Sequence, residues 1–219
     1  MLLLSESEVS AMTGGLRARK KQRTRESLLR VALELFTTQG YERTTVDEIA
    51  DAVEVSQRTF FRYFASKEEV AFALVDMVES QFVEALRARP AAEGPFEAMR
   101  NAVSSVWGSV GDTIESVVTV ELYMRSYRMI ESTPVLLAAH LRRSSDLEDG
   151  VARLIADRES LDVDADPRPR VAVAAFTGVM RATGRIWGRG EDCSVAGLGR
   201  MTEAYLDQLT PRLLRDDWH

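Results

Sequence analysis

Cysteine is almost absent: Cys193 is the only one in 219 residues. An intrachain disulfide is therefore excluded, and so is a thiol cluster for zinc; the usage suits a reducing, cytoplasmic compartment. Histidine is nearly as scarce. His140 and the terminal His219 are the only two, and no Ser/His/Asp or Cys/His set is assembled by spacing. The run Asp162, Asp164, Asp166 alternates carboxylates but lacks the glycine and distal glutamate of a calcium loop, so it reads as a solvated turn. Gly188-Arg189-Gly190 reads as a helix-terminating loop and not as a phosphate cradle. No apolar run approaches the roughly 20 residues of a membrane span. The leading Met1-Leu2-Leu3-Leu4 is followed by Ser and Glu, too short and too acidic for a signal sequence. Alternating strand patterns, internal repeats and low-complexity linkers are missing as well. Enzyme, metal-site and membrane readings are the ones these absences weaken, and no cofactor is expected.

The composition that remains, 45% hydrophobic with 28% charged residues, is that of a globular protein large enough for a small module and a larger second core. Its charge is unevenly spread. Between Leu16 and Lys67 there are 11 Arg/Lys against 7 Asp/Glu, a net of +4, whereas the rest of the chain carries 17 against 27, a net of −10. The overall charge of −6 thus hides a basic module, the electrostatic footprint of a nucleic-acid reader. Arg17, Arg19, Lys20, Lys21, Arg23 and Arg25 form an arm ahead of it. Such an arm can neutralise phosphates or enter a minor groove; it can equally be a disordered, solubilising leader.

Within the module the start and stop signals of three short helices are legible. From Arg25 to Thr38, Leu28, Leu29, Ala32, Leu35 and Phe36 recur at three- and four-residue steps, one stripe of an amphipathic helix. Thr24 is its candidate N-cap; Gly40 can close it in a left-handed conformation, with Tyr41 folding back onto the stripe. Thr45-Val46-Asp47-Glu48 is a capping box that opens a second helix with Val46, Ile49, Ala50 and Val53 inward. After a tight Glu54-Val55 connection Ser56 caps a third, and Ser66-Lys67-Glu68-Glu69 is a second capping box starting a long fourth helix. Two short helices joined by a brief turn, packed on a preceding one, make a helix-turn-helix.

The third helix carries side chains suited to a DNA groove. Gln57 can pair with an adenine edge and Arg58 with guanine; Thr59 can reach a phosphate or a thymine methyl. Arg62, Tyr63 and Lys67 follow where the backbone approaches, fixing register and not sequence. Thr45 suits a hydroxyl-to-phosphate contact. Phe60 and Phe64 read as core.

The segments Ala32-Leu33-Glu34-Leu35-Phe36, Gly40-Tyr41, Thr44 to Ala50, Val55-Ser56 and Thr59 to Glu69 together resemble the amino-terminal domain of the tetracycline-repressor (TetR) family of bacterial regulators. The likeness spans about fifty residues without a gap; beyond them only the family's general helical organisation is similar. Motif for motif, the resemblance implies DNA contacts at Thr45, Gln57, Arg58, Thr59, Phe61, Arg62 and Lys67. Two positions depart from the family pattern. Phe61 stands where the family usually has Tyr, which removes a phosphate hydrogen bond, and Arg58 replaces a commonly small residue, adding a cation that reaches the groove. The implied architecture is all-α with about nine helices, a helix-turn-helix domain at 16–67 and a ligand-binding and dimerisation domain at 68–219; residues 1–15 ahead of them read as a disordered leader.

In the second region the breakers place the fourth helix at about Lys67 to Ala88, with Ala71, Leu74, Val75, Val78, Phe82 and Leu86 as its stripe. A fifth starts at Gly94-Pro95 and runs to about Trp107; Gly111-Asp112 divides it from a sixth, about Thr113 to Ile130. Pro134 opens a seventh, to about Arg158; an eighth spans about Arg170 to Trp187; Ser194 caps a ninth, to about Gln208, with Pro211 disturbing its end. The sixth helix is apolar nearly all round and should lie at the centre. Tyr123 and Tyr127 on it, with Trp107, Phe176 and Met180, suit a pocket for a small, mostly apolar molecule, or are simply core. Glu121 either pairs with Arg125 or meets a cationic ligand. Ala174, Gly178 and Ala182 form a small-residue ridge, and Leu198, Met201, Tyr205 and Leu209 a stripe; these suit either a four-helix homodimer interface, as the resemblance implies, or packing within the chain.

These readings combine into a dimeric regulator, a repressor released from a palindromic duplex by a small effector, with no membrane partner. In that mechanism a shift of the two fourth helices spoils the spacing of about 34 Å that recognition helices need. The alternative is an all-helical small-molecule-binding protein or enzyme with a vestigial reading module; a third reading has a partner protein in place of the effector.

Overall fold

The computed structural model of the chain describes residues 6–190 and 194–209, with side chains from residue 18 onward. Among these residues there are no strands and nine helices: α1 (Glu6–Gln39), α2 (Val46–Ala52), α3 (Gln57–Tyr63), α4 (Lys67–Arg87), α5 (Pro95–Glu115), α6 (Val120–Ser132), α7 (Pro134–Arg158), α8 (Arg168–Arg189) and α9 (Val195–Leu206). The all-α expectation holds. The chain divides into two compact units, Met1–Ala73 and Leu74–His219.

In the first unit α1 packs on α2 and α2 on α3. Leu28, Leu29, Ala32, Leu33 and Phe36 bury on α1, Ile49 and Ala50 on α2, and Phe60 and Phe64 at α3. The inward stripe thus takes Leu33 where Leu35 was expected; Leu35 is only half-buried. The local signals otherwise do what their chemistry requires. Gly40 adopts φ +97°, and the Tyr41 ring turns back edge-on to Phe36 at 5.1 Å. In the capping box of α2 the Glu48 amide donates to Thr45 Oγ1 at 3.2 Å and the Thr45 amide to Glu48 Oε2 at 2.7 Å. The Thr45 amide, and after it the Thr45 hydroxyl, by donating to the Glu48 carboxyl hold it below its ordinary pKa. The connection to α3 is tight enough to force Glu54 to φ 56°.

The start of α1 differs from expectation. Thr24 is no cap: its hydroxyl donates to the Lys20 carbonyl at 3.0 Å, the back-bond of a threonine inside a helix. The preceding Arg, Lys and Gln residues are good helix formers, and nothing among them interrupts the turn. Residues 6–15 of the expected leader belong to α1; residues 1–5 lie outside the described residues.

In the second unit α8 packs against α5, α6, α7 and α9, so α8 and not α6 is the central helix. α5 runs straight through Gly108 and Gly111 to Glu115, where a break at Gly111 was expected. Two helical glycines cost about 1 kcal/mol each, but burying Val106, Val110 and Ile114 on one face of the same helix outweighs them. The break falls at Ser116–Thr119 instead, and the Thr119 hydroxyl caps α6 by accepting from the Leu122 amide at 3.2 Å. Leu86, Phe96, Met99, Ile155, Phe176 and Leu206 anchor the main apolar cluster. Between α8 and α9 a hydroxyl pair, Thr202 donating to Thr183 at 3.2 Å, lies fully buried and fixes their register. Arg158 closes the α4–α5 loop by donating to the carbonyls of Arg89, Pro90 and Glu93. The acidic turn is held by its own arginines: Arg168 pairs with Asp166, and Arg170 with Asp149 and Asp164. Cys193 and Pro211 lie outside the described residues.

Candidate functional site

On the first unit the Ser56 hydroxyl caps α3, accepting from the Thr59 amide at 3.2 Å and lying 3.0 Å from the Thr59 hydroxyl. With Phe60 fully buried and Phe64 nearly so, the opposite face of this two-turn helix is forced outward. Gln57, Arg58, Phe61 and Arg62 are exposed there, and Thr59 and Tyr63 are half-buried. Phe61 has 51% of its surface accessible, a large apolar group left in water. The Arg62 guanidinium stands over the Tyr63 ring at 5.1 Å, which orders both side chains. Arg25 of α1 stands likewise 4.8 Å above the Phe64 ring. Thr45 is exposed, but its hydroxyl donates to Glu48 Oε2 at 2.9 Å as well as capping α2.

Lys67 is less free than the sequence suggests. Its ammonium donates to the Thr44 carbonyl at 2.5 Å and the Tyr41 carbonyl at 2.9 Å, and stands 4.6 Å above the Tyr41 ring. Partial burial pushes its pKa below the ordinary lysine value, opposed by the nearby Glu48 and Glu42 carboxylates. Two of its three donors therefore clamp the α1–α2 turn, leaving one for a phosphate.

The second unit contains a partly open cavity of about 180 Å³, with walls from α4 to α9. Trp107, Tyr123, Tyr127 and Met180 line it, as the sequence suggests. Two expected residues do not. Glu121 sits on the exposed face of α6 together with Arg125, because Leu122, Met124 and Ser126 take the inward positions. Phe176 is buried behind the wall, its ring stacked 5.8 Å from Phe82, which does line the cavity. Residues that periodicity did not single out complete the wall: Glu79 on α4, His140, Ser144 and Glu148 on α7, and Arg181, Gly184 and Trp187 on α8. Glu79 was legible in one respect, since it follows Val75 by four residues and so shares the inward stripe of α4.

Most polar groups of this wall are satisfied internally. Thr177 donates to the Val173 carbonyl, Trp187 Nε1 to the Ser194 carbonyl at 3.1 Å, and Arg181 forms an ion pair with Glu148. Trp107 Nε1 is buried without an acceptor among the described residues. Burial pushes the His140 imidazole below its ordinary pKa despite the Glu131 carboxylate nearby, so it is neutral near pH 7. Burial, and then the negative charge of Glu79, push the Tyr123 phenol up to about 12; burial raises Tyr127 as well. Both phenols stay protonated donors. Glu79 itself is pushed up to about 7, first by burial and then by Asp76, with Arg143 opposing.

Along α8 and α9 the sequence-expected interface residues separate. Leu198 is buried and lines the cavity, a correction to its assignment as interface: α9 turns Leu198, Thr202 and Leu206 inward, at four-residue steps, to meet α8 and α5. Ala174 and Tyr205 are exposed, and Gly178, Ala182 and Met201 are half-buried. Val171 and Ile186 of α8 are exposed as well. A Cβ added to Gly178 would meet nothing within 4 Å.

Among the described residues no group of three or more His, Cys, Asp or Glu could hold a metal ion, and no helix is long and apolar enough to cross a membrane. Residues 28–74 match the family model described as bacterial regulatory proteins, tetR family, and residues 93–214 match the one described as the MftR C-terminal domain. The chain is 49% identical, over 92% of its length and 89% of the relative's, to the HTH-type transcriptional regulator TcmR of Streptomyces glaucescens. Among solved structures, a transcriptional regulator of Aquifex aeolicus VF5 superposes with a TM-score of 0.55 at 16% identity, covering 85% of this chain and 99% of that one. The SmeT–triclosan complex does so with a TM-score of 0.58 at 19% identity, covering 84% and 88%.

Proposed function

The chain belongs to the TetR family of bacterial transcriptional regulators, and from that premise we propose that it is a repressor that leaves a palindromic operator when a small, mostly apolar effector fills its cavity. The observation that carries the reading is the pairing of functions along one chain. A capped recognition helix presents Gln57 and Arg58 to solvent in the first unit, and an aromatic-walled cavity of about 180 Å³ lies in the second. The first unit, Met1–Ala73, is the DNA-reading domain and the second, Leu74–His219, the effector and dimerisation domain, acting in the cytoplasm where the operator is. Gln57, Arg58 and Thr59 read bases, while Thr45, Arg62, Tyr63 and the remaining Lys67 donor hold phosphates. Phe61 offers only apolar contact.

The protein acts as a homodimer through the side of α8 and α9 that carries Val171, Ala174, Gly178, Ile186 and Tyr205. The support is the exposure of Val171, Ala174, Ile186 and Tyr205 on two helices that pack together, and the open space at half-buried Gly178. Two recognition helices per dimer then meet successive major grooves about 34 Å apart. Effector and operator oppose one another by a reciprocal coupling free energy, carried through α4, which opens with the Ser66–Glu69 box and goes on to supply Val75, Val78, Glu79 and Phe82 to the cavity.

The experiment is selection of bound fragments from the protein's own genome, followed by titration of the selected duplex at several salt concentrations. A palindromic consensus bound with steep salt dependence is expected; weak, sequence-independent binding would discard the repressor reading.

A further inference from the structure

The charges around the cavity balance with one exception. Glu148 is paired with Arg181, and Asp76, one turn before Glu79 on α4, is paired with Arg143. Glu79 has no hydrogen bond or ion pair of its own among the described residues; only the field of Arg143 favours its ionised form. It stands in the wall between the cavity and an outer groove bordered by Asp76, Ser80, Glu84 and Arg87. Beside it the cavity is walled by aromatic faces: the Tyr123 and Trp187 rings lie 6.2 Å apart, and the Tyr127 and Trp187 rings 6.1 Å apart. A carboxylate without a cation of its own, half-buried in a mostly apolar wall, is less stable ionised than in water until something of opposite charge reaches it, and π faces attract the same kind of group.

We propose that the effector is a compact aromatic molecule bearing one protonated amine, and that Glu79 is the residue that selects it by accepting the ammonium hydrogen bond. The inference rests on the reading of this cavity as the effector site and adds the charge of the occupant. An anion is disfavoured by Glu79, the one carboxylate of the wall without a cation of its own. The volume of about 180 Å³ suits roughly two fused rings with a short substituent.

The groups that face Glu79 also fix a pH signature. Its own helix contributes Asp76, Glu84 and Arg87; α6 contributes Tyr123; α7 contributes His140, Arg143 and Glu148; α8 contributes Arg181. Tyr123 remains protonated, and His140, whose pKa burial lowers, remains neutral at the upper end of the range from pH 6 to 8. Glu79, near 7, is the group whose charge changes most across that range. The affinity of an amine should therefore rise about tenfold from pH 6 to pH 8, following the ionised fraction of Glu79.

The test uses three probes on one scaffold, titrated calorimetrically into the full-length protein: 2-naphthylmethylamine (cationic), 2-ethylnaphthalene (neutral and nearly isosteric) and 2-naphthylacetate (anionic). The amine is expected to bind at least tenfold tighter than the hydrocarbon at pH 8, and the acetate most weakly. Glu79→Gln should erase both the preference for the amine and its pH dependence while leaving the hydrocarbon's affinity within about threefold. The wild-type pH profile needs no variant and stands even if Glu79→Gln folds poorly. Equal binding of amine and hydrocarbon, an amine affinity unchanged in Glu79→Gln, or no binding by any probe up to its solubility limit would overturn the proposal. Hydrocarbon binding without charge preference sinks this inference alone. The repressor reading fails separately, if no palindromic operator is found.

Discussion

The Tyr127 hydroxyl lies against the bare backbone of Gly184: a Cβ on that glycine would stand 2.7 Å from the oxygen and 3.5 Å from ring carbon Cζ. One turn later a Cβ on Gly188 would stand 3.1 Å from Cδ1 of the same ring. α6 thus rests its tyrosine in a two-glycine notch of α8. The neighbouring Arg128 locks the arrangement by donating to the Gly188 carbonyl at 2.5 Å and the Gly190 carbonyl at 2.9 Å. With the ring seated in the notch, the cavity keeps the space the ring would otherwise occupy.

Gly184→Ala should drive the Tyr127 ring out of its seat. A contact of 2.7 Å is too short to keep, and the phenol end is the part free to move. Overpacking of this kind costs about 1–3 kcal/mol, offset by about 0.5–1 kcal/mol from replacing a helical glycine by alanine. Ligand affinity should fall several-fold. Adding Tyr127→Phe removes the clashing oxygen and leaves Cζ at an ordinary 3.5 Å. The double variant should therefore melt at or above the wild-type temperature. Melting curves for the two single variants and the double variant give the coupling directly; additive effects would show that the notch does not hold the ring.

Arg58→Ala and Lys67→Ala should part company in stability as well as in binding. Arg58 is exposed and makes no hydrogen bond among the described residues, so its removal should leave the melting temperature unchanged. Duplex affinity should fall by about 1–3 kcal/mol, mainly at one base position. Lys67 clamps two carbonyls of the α1–α2 turn, so its loss should destabilise the first unit by about 1–3 kcal/mol while also weakening every sequence alike. Melting curves read beside operator titrations separate the clamp from the phosphate contact. An unchanged melting temperature for Lys67→Ala would mean the clamp is idle.

Glu79 makes stability depend on pH. Its folded pKa, about 7, lies above the ordinary carboxyl value of 4.5. Between those values the folded state keeps a proton that the unfolded chain has released, so stability falls as pH rises through the window. The full loss, reached above about pH 7, is on the order of 3 kcal/mol. Glu79→Gln cannot titrate. The variant should match the wild type near pH 4.5 and exceed it at pH 8, as denaturant melts across the range would reveal; a constant difference would mean that the carboxyl is solvated. The lowered pKa of His140 acts on both proteins alike and cancels in the comparison.

What was legible in the sequence was what chemistry decides over three or four residues. The Thr45–Glu48 box, the Gly40–Tyr41 stop and the Ser194 cap act between near neighbours and formed as read, whereas the Ser66–Glu69 box formed by half: Ser66 accepts from the Glu69 amide, but the Glu69 carboxylate accepts from the Ala65 amide instead of the Ser66 amide. Thr24 misled because a hydroxyl before an apolar stripe marks a start only where the preceding turn is broken, and here it is not. Gly111 misled because the burial of Val110 and Ile114 on the same helix outweighs local propensity. The aromatic wall was readable from the concentration of Tyr, Trp and Met. Which polar residues joined it was not, since the inward faces of α7 and α9 depend on where α8 lies. Leu198 therefore turned to the cavity and Glu121 away from it. Glu79 was overlooked between Val78 and Phe82 because one carboxylate in an apolar stripe reads as a solvated edge.

Gly178→Trp tests the assembly most directly because the folded subunit has room for it. A Cβ at this position meets nothing within 4 Å, so a side chain can leave α8 here without a clash at its root, and the melting transition checks that the indole beyond it leaves the fold intact. The burden falls only on a second copy brought against this surface. Small residues at Ala174, Gly178 and Ala182 let helix backbones approach to about 8 Å, a separation that a bulky side chain forbids. Exposed Val171 and Ile186 would supply the apolar area around that contact. Sedimentation velocity should show the variant as a monomer at concentrations where the wild type is a dimer, with an unchanged melting transition extrapolated to low concentration. Operator affinity should fall at least a hundredfold as the two half-sites lose their linked readers. A Gly178→Trp protein that still sediments as a dimer would move the interface off this side of α8, and with it the proposed spacing of the recognition helices.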